Sequence, residues 1–314
     1  MPGRQPPIDN REFSFIVLTY NEEQHLPRLL ASIALLRAPV FVLDSGSTDA
    51  TLEIARRHGA VIAHHDFENH PRQWDFALAH FPIGTPWTIG LDADQIVTPE
   101  LLRLLQNFRD ETVPANVNGI YFNRKNYFKG RWIKHGGYFP KYLLKMFRTG
   151  VGNSDLHQNM DHRFVVPGDT LVWKTGYLIE ENLKENEITF WIDKHNRYST
   201  LQAREETDRK NGLRQQNLDA RMTGNPDQKI AWLKNIWWKA PLFFRPLAYF
   251  VWRYFFRLGF LDGKQGFIFH FLQAFWYRLV IDIKMDELQH KKAVPHSPRK
   301  PKNHKLTTDV HTRH

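Results

Sequence analysis

Short apolar, β-branched runs alternate with amphipathic stretches through the first hundred residues, and this alternation narrows the possible folds more than any other feature. Phe13–Thr19 (FSFIVLT), Val40–Leu43 (VFVL), Ala60–Ala63 and Trp87–Leu91 (WTIGL) read as buried strands. Between them, Leu26–Leu36 carries leucine and isoleucine at helical spacing, and Arg72–His80 reads as a helix. Ser47, Thr48 and Asp49 offer N-caps for a helix that runs through His58 and stops at Gly59. Thr98-Pro99-Glu100 is a further helix start. Strands that alternate with helices this way predict a mainly parallel sheet covered on both faces. In such sheets ligands bind beyond the carboxyl ends of the strands. The loops after the first, second and fourth strands are therefore the places to search for chemistry.

Three of those loops carry polar residues that a ligand could use. Asp92-Ala93-Asp94 follows the fourth strand. Hard divalent cations prefer carboxylate and phosphate oxygens, so two carboxylates at one strand tip are candidate metal or phosphate handlers; a solvated turn capping the next helix is the plainer alternative. Asp44-Ser45-Gly46-Ser47-Thr48-Asp49 follows the second strand. Gly46 permits a tight turn and Ser47 to Asp49 suit capping, whereas Asp44 has no evident structural task and could accept hydrogen bonds from a base or ribose. In Thr19-Tyr20-Asn21-Glu22-Glu23, Tyr20 could stack on a base, Thr19 could hydrogen-bond it, and Asn21 could equally cap the helix that follows.

Taken together, TYNEE, DSGSTD and LDAD resemble the nucleotide-binding half of the family 2 glycosyltransferases, over roughly residues 13–110. The resemblance implies the GT-A fold and transfer of a sugar from a nucleotide-sugar. It implies that Thr19, Tyr20 and Asp44 contact the nucleotide, with Glu22 of the same loop. Asp92 would lie near the ribose, Asp94 would bind Mg2+ or Mn2+, and Arg72 would face the nucleotide. A second resemblance rests on GGYFPKYLLKMFR, DKHNRYSTLQA and RLGFLDGKQGF, which look like a bacterial subgroup building lipopolysaccharide cores and exported polysaccharides. The family 2 resemblance implies inversion in one displacement, and the leading expectation is a donor of UDP type with a lipid-linked or lipopolysaccharide-core saccharide acceptor in envelope polysaccharide synthesis.

The base that takes the acceptor proton is expected in the second half, within Asp155–Arg163. Asp161 is favoured, with Asp155 and His157 as alternatives; the subgroup tends to show a Glu beside His here, which this Asp161-His162 pair lacks. His157 and His162 could instead reach diphosphate or metal, and Glu180 and Glu181 are weaker acid–base candidates. Lys194 and Tyr198, four apart on a predicted helix over Glu187–Asn211, share a face and could reach phosphate or acceptor sugar. Gly119–Phe122 and Tyr142–Phe147 read as strands, and Asp155–Asn182 as polar loop with short strands.

From Lys229 to Met285 aromatic runs are broken by Lys or Arg every few residues. No stretch suffices to cross a bilayer, but rings beside cations suit a helix lying in a membrane interface; a buried helical core or a homo-oligomer interface would have the same composition. The expected organisation is a leader at 1–12, a nucleotide-sugar half at 13–115, an acceptor half at 116–215, a membrane-associating region at 216–290 and a disordered basic tail at 291–314. The 314-residue chain has no cysteine, which removes disulfides and thiolate metal sites, and no signal-peptide-like stretch is expected. Its net charge of +10 favours anionic partners. The cations are interleaved with long apolar runs rather than spread over a polar face, so nucleic acid is not the expected partner. The expected place is the cytoplasmic face of the cell membrane. Transfer to polyprenyl phosphate itself is a rival reading, and a non-catalytic binding member of the fold is another.

Overall fold

The computed structural model describes residues 9–156, 162–213 and 220–293. The strands are β1 (Phe13–Thr19), β2 (Val40–Asp44), β3 (Val61–His64), β4 (Trp87–Asp92), β5 (Gln95–Val97), β6 (Val117–Phe128), β7 (Arg131–Trp132), β8 (Tyr142–Arg148), β9 (Asn153–Ser154), β10 (Phe164–Val165) and β11 (Asp169–Glu180). The helices are α1 (Leu26–Ile33), α2 (Thr51–Arg57), α3 (His70–His80), α4 (Pro99–Gln106), α5 (Ile188–Lys210), α6 (Pro226–Lys239), α7 (Phe244–Val251), α8 (Gly263–His270) and α9 (Tyr277–Ala293). The main sheet runs β3-β2-β1-β4-β8-β6-β11-β5, with β7 hairpinned onto β6. The first four strands are parallel, β8 is antiparallel to both of its neighbours, β6 and β11 are parallel, and β5 is antiparallel. This is the α/β arrangement expected from the strand–helix alternation, with a mixed sheet of the GT-A type that the family resemblance implies.

Continuous apolar runs form the central strands because both of their faces are buried. Phe15 and Val17 of β1 face a core shared with α1 and α4, while Ile16 faces Trp74, Ala77 and Phe81 on the α3 side. Gly90 in β4 keeps that second face closed: a Cβ there would stand 2.4 Å from Phe164 and 3.1 Å from Trp74. The register pairs Thr19 with Asp44 and Leu18 with Asp92. All three carboxyl-terminal loops therefore open along one edge.

Two expectations are corrected. The helix after β2 starts at Thr51, not at Ser47; Asp49 accepts from the Thr51 amide, whereas Ser47 is held by Asp44. The segment 155–182 is not mainly loop, since β11 runs for 12 residues beside β6. Its pattern was obscured by an irregularity between Val172 and Tyr177, where Gly176 takes φ +75° against α4.

The carboxyl-terminal helices pack on the second half of the sheet. Trp191 and Ala203 of α5 share a core with Phe269, Tyr277, Ile281, Phe128 and Ile133. Arg245 of α7 crosses this core. Its guanidinium donates to Glu206 of α5 at 2.9 Å and to Asp282 of α9 at 2.5 and 2.8 Å, and all three side chains are almost fully buried. No helix among the described residues is long and apolar enough to cross a membrane. Arg245→Ala would leave two buried carboxylates without their cation, a loss of about 3–5 kcal/mol. Urea denaturation checks it: the midpoint should fall sharply, and a loss below about 1 kcal/mol, the level of an exposed pair, would contradict the structural role.

Candidate active-site cleft

The loops after β1, β2 and β4 are laced together by side chains. Asp44 is 2% exposed and accepts from Thr19 Oγ1 (2.8 Å), the amides of Gly46 (2.9 Å) and Ser47 (2.8 Å), and Ser47 Oγ (2.5 Å). The expectation that Asp44 lacks a structural task is therefore corrected: four donors converge on it and fix the turn. Asn21, at φ +55°, accepts from the Thr48 amide and bridges the first two loops.

These loops form one wall of a cleft of about 1960 Å3. Thr19, Tyr20, Glu22, Asp92 and Asp94 line it, and Lys194 and Tyr198 reach it from α5. Tyr20 is 58% exposed and free to take a flat partner on its ring. Asp44 lies beneath this lining. Arg72 is not brought in; its guanidinium pairs with Glu68 at 3.0 Å, and both are exposed. His70 and Gln73 of the same helix line the cleft instead. Asp161 and His157 lie outside the described residues. The alternative base Asp155 is 5% exposed, held by Arg163 through two bonds of 2.8 and 2.5 Å, and is not part of the cleft lining. Glu181 pairs with Arg28 at 2.5 Å, away from the lining, whereas Glu180 and His162 belong to it.

Three carboxylates around the end of β4 have different electrostatic fates. Burial opposes the charge of Asp92, yet the ammonium of Lys145 at 2.9 Å overrides it and holds this carboxyl well below the usual range. Glu180 is also held low against burial, by Arg124 at 2.5 Å and an amide bond from Gln95 at 3.0 Å. Asp94 is pushed up to about 8 by burial and by the charges of Glu180 and Asp92. Lys194 acts on it from a distance but is tied to Glu185 at 2.8 Å. Among the described residues no ion pair joins Asp94. Burial drives His70 and His162 toward their neutral forms, and His162 Nε2 has no partner.

Lys145, Arg124 and Lys184 escaped the sequence reading. Lys145 left a signal, a lone cation inside the apolar run Tyr142–Phe147; its ammonium is buried against Asp92. Lys184 bonds Glu22 at 3.1 Å and the Asn21 carbonyl at 2.5 Å, tying the first loop to the segment after β11.

A divalent cation fits this site in a limited sense. No three His, Asp or Glu side chains among the described residues converge into a metal cage. A carboxylate that has no ion-pair partner of its own and stands beside two others suits a cation that completes its shell with phosphate oxygens and water. Asp94 is the residue that would hold it.

An α/β fold with a mixed sheet and an acidic strand tip facing a large cleft is the class that fold and site define. Within it, residues 14–163, just under half of the chain, match the family described as glycosyl transferase family 2. A Staphylococcus haemolyticus 4,4'-diaponeurosporenoate glycosyltransferase is 32% identical over 91 residues, which cover 27% of this chain and 24% of that protein. An uncharacterized glycosyltransferase from Rickettsia typhi is 30% identical over 91 residues, covering 29% and 30%. The chain thus spans under a third of the length of these curated relatives. Among solved structures, a Pyrobaculum calidifontis mannosyltransferase in complex with GDP-Man and Mn2+ is 16% identical, with TM-score 0.46 and coverage of 90% and 88%.

The Asp94 geometry has a pH signature in the metal-free protein. A carboxyl with a folded value near 8 and an ordinary value of 3.8 takes up a proton on folding. Its penalty grows as pH rises from about 4 and is complete above 8. Asp94→Asn should therefore raise the metal-free melting temperature by more at pH 8.5 than at pH 5, by several degrees, in scanning calorimetry. An equal shift at both pH values would contradict the charge arrangement.

Proposed function

We propose that this chain is an inverting, metal-dependent glycosyltransferase that moves a sugar from a UDP-sugar to a lipid-linked or lipopolysaccharide-core saccharide in bacterial envelope synthesis. The observation that carries this is the uncompensated Asp94 carboxyl at the tip of β4, in a cleft lined by thirteen Lys and Arg against seven Asp and Glu. A diphosphate with its cation matches both features. Mg2+ or Mn2+ at Asp94 would offset the charge growing on the leaving diphosphate.

The chain's own residues divide the remaining work. Tyr20 would stack on the base, and the loop held by Thr19 and Asp44 would receive the nucleoside. Asp92, kept ionised by Lys145, would accept a hydrogen bond from the ribose. Lys194 and Tyr198 would face the phosphates or the acceptor. Asp161 is proposed as the base, supported by its place two residues before Arg163, which lines the cleft. Glu180 is the second candidate, favoured by its position beside Asp94, although Arg124 holds it as a stable anion.

The proposed location is the inner face of the cell membrane. Phe244 is 64% exposed, Phe256 69%, and Trp252 and Phe255 each 53%. Such rings beside Arg and Lys suit an interfacial foot. The rest of the aromatic region packs inward on α5, so the core and interface alternatives each describe one face of it.

Thermal shift against UDP-, GDP- and dTDP-sugars with Mn2+ tests the donor. A ligand at a hundredfold over its Kd stabilises by about 2.7 kcal/mol, and the UDP-sugar should give the largest rise. Asp94→Ala should cost at least about 2 kcal/mol of transition-state stabilisation in sugar transfer. Asp161→Asn should abolish transfer while donor binding persists. Full transfer by Asp161→Asn with none by Glu180→Gln would move the base to Glu180, and metal-independent turnover by Asp94→Ala would overturn the proposal.

A further inference from the structure

The nucleotide-binding loops occupy only one end of the cleft. Its lining continues past Tyr198 to α6 and α7, where Leu233, Ile236, Phe244, Ala248 and Trp252 make an apolar strip. Arg253, Arg257 and Arg278 share that lining, and no carboxylate among the described residues forms an ion pair with any of them. Arg253 is 8% exposed; its Nε donates to the Gly136 carbonyl at 2.5 Å, it bonds the Tyr249 hydroxyl, and it lies 3.6 Å over the Tyr138 ring. Arg278 lies 5.7 Å from the Trp237 ring and 5.5 Å from the Tyr277 ring. Arg257 is exposed.

Arg253 and Arg257 converge at Gly137. A Cβ on that residue, whose φ is +76°, would stand 3.6 Å from Nε and Nη2 of Arg257 and 3.7 Å from Nη2 of Arg253. A side chain there would enter the space between two guanidinium groups, so glycine keeps that space open. Like charges drawn together in a partly buried place destabilise the fold unless an anion joins them. Guanidinium forks match phosphate oxygens in geometry and charge. The neighbouring apolar strip reaches the exposed rings of Phe244 and Trp252.

We infer that this arm of the cleft is an acceptor subsite in which Arg253 and Arg257, beside Gly137, with Arg278 of the same lining, hold the phosphate of a lipid-anchored acceptor while α6 and α7 guide its apolar chain. This deepens the glycosyltransferase reading and rests on it. The phosphate would be gripped and not consumed, and the acceptor would enter from the side of the exposed aromatic rings.

Decyl phosphate, below its micelle concentration, is the probe, with decyl maltoside and inorganic phosphate as controls. Isothermal titration should show decyl phosphate binding the full chain more tightly than either control. Arg257→Gln and Arg278→Gln should each weaken it roughly tenfold, the worth of one charge-assisted hydrogen bond. Arg257 is exposed and Arg278 forms no ion pair within 4 Å among the described residues, so both variants should fold, and their melting curves check this. Gly137→Val, which fills the space, should weaken binding without removing a charge. Equal binding of decyl phosphate and decyl maltoside, or no effect of any substitution, would overturn the subsite. Inorganic phosphate binding as tightly as decyl phosphate would overturn its assignment to a lipid. A separate titration of the wild-type chain with UDP and Mn2+ keeps the two readings apart: failure there removes the donor site and leaves the phosphate result standing or falling by itself.

Discussion

One unbalanced charge organises this molecule. Three carboxylates gather where β4 ends, and the fold neutralises two of them, Asp92 with Lys145 and Glu180 with Arg124. Asp94 receives no such partner and is driven toward its protonated form. Leaving a buried carboxyl uncompensated costs stability. A scaffold selected for stability alone would have supplied a cation or replaced the residue. The arrangement is intelligible where a mobile cation arrives with the ligand and completes the balance.

The sheet exists to make that arrangement reproducible. Parallel pairing of β1 with β2 and β4 sets Thr19, Asp44 and Asp92 along one edge. β8 then carries Lys145 to Asp92, while β6 and β11 carry Arg124 and Glu180 to the same end. The last helices close the far side, and the Arg245 triad and the Arg253 bond to Gly136 fasten them there. Catalytic half and aromatic region thus share one cleft.

Local chemistry was readable in the chain where it is local. Apolar runs disclosed the first four strands within a residue or so, Thr98 and Pro99 disclosed a helix start, and Asp92-Ala93-Asp94 disclosed a strand tip that lines the cleft. What escaped depends on partners remote in sequence. Lys145 is paired with a residue 53 positions away, and Arg124 with one 56 away. Asp44 looked idle because its donors come from a neighbouring strand and from the backbone of its own turn. Arg72 looked suited to a ligand, but the helix turns it toward Glu68. β11 was hidden because its bulge interrupts the two-residue alternation by which strands are recognised.

The proposed function depends on a cation sitting between Asp94 and a bound diphosphate. Crystals grown with UDP and Mn2+, measured at the manganese absorption edge, would show this directly. The account predicts one strong anomalous peak within coordination distance of an Asp94 carboxylate oxygen, with diphosphate oxygens on its other side. A peak elsewhere, or ordered UDP with no metal at Asp94, would contradict it.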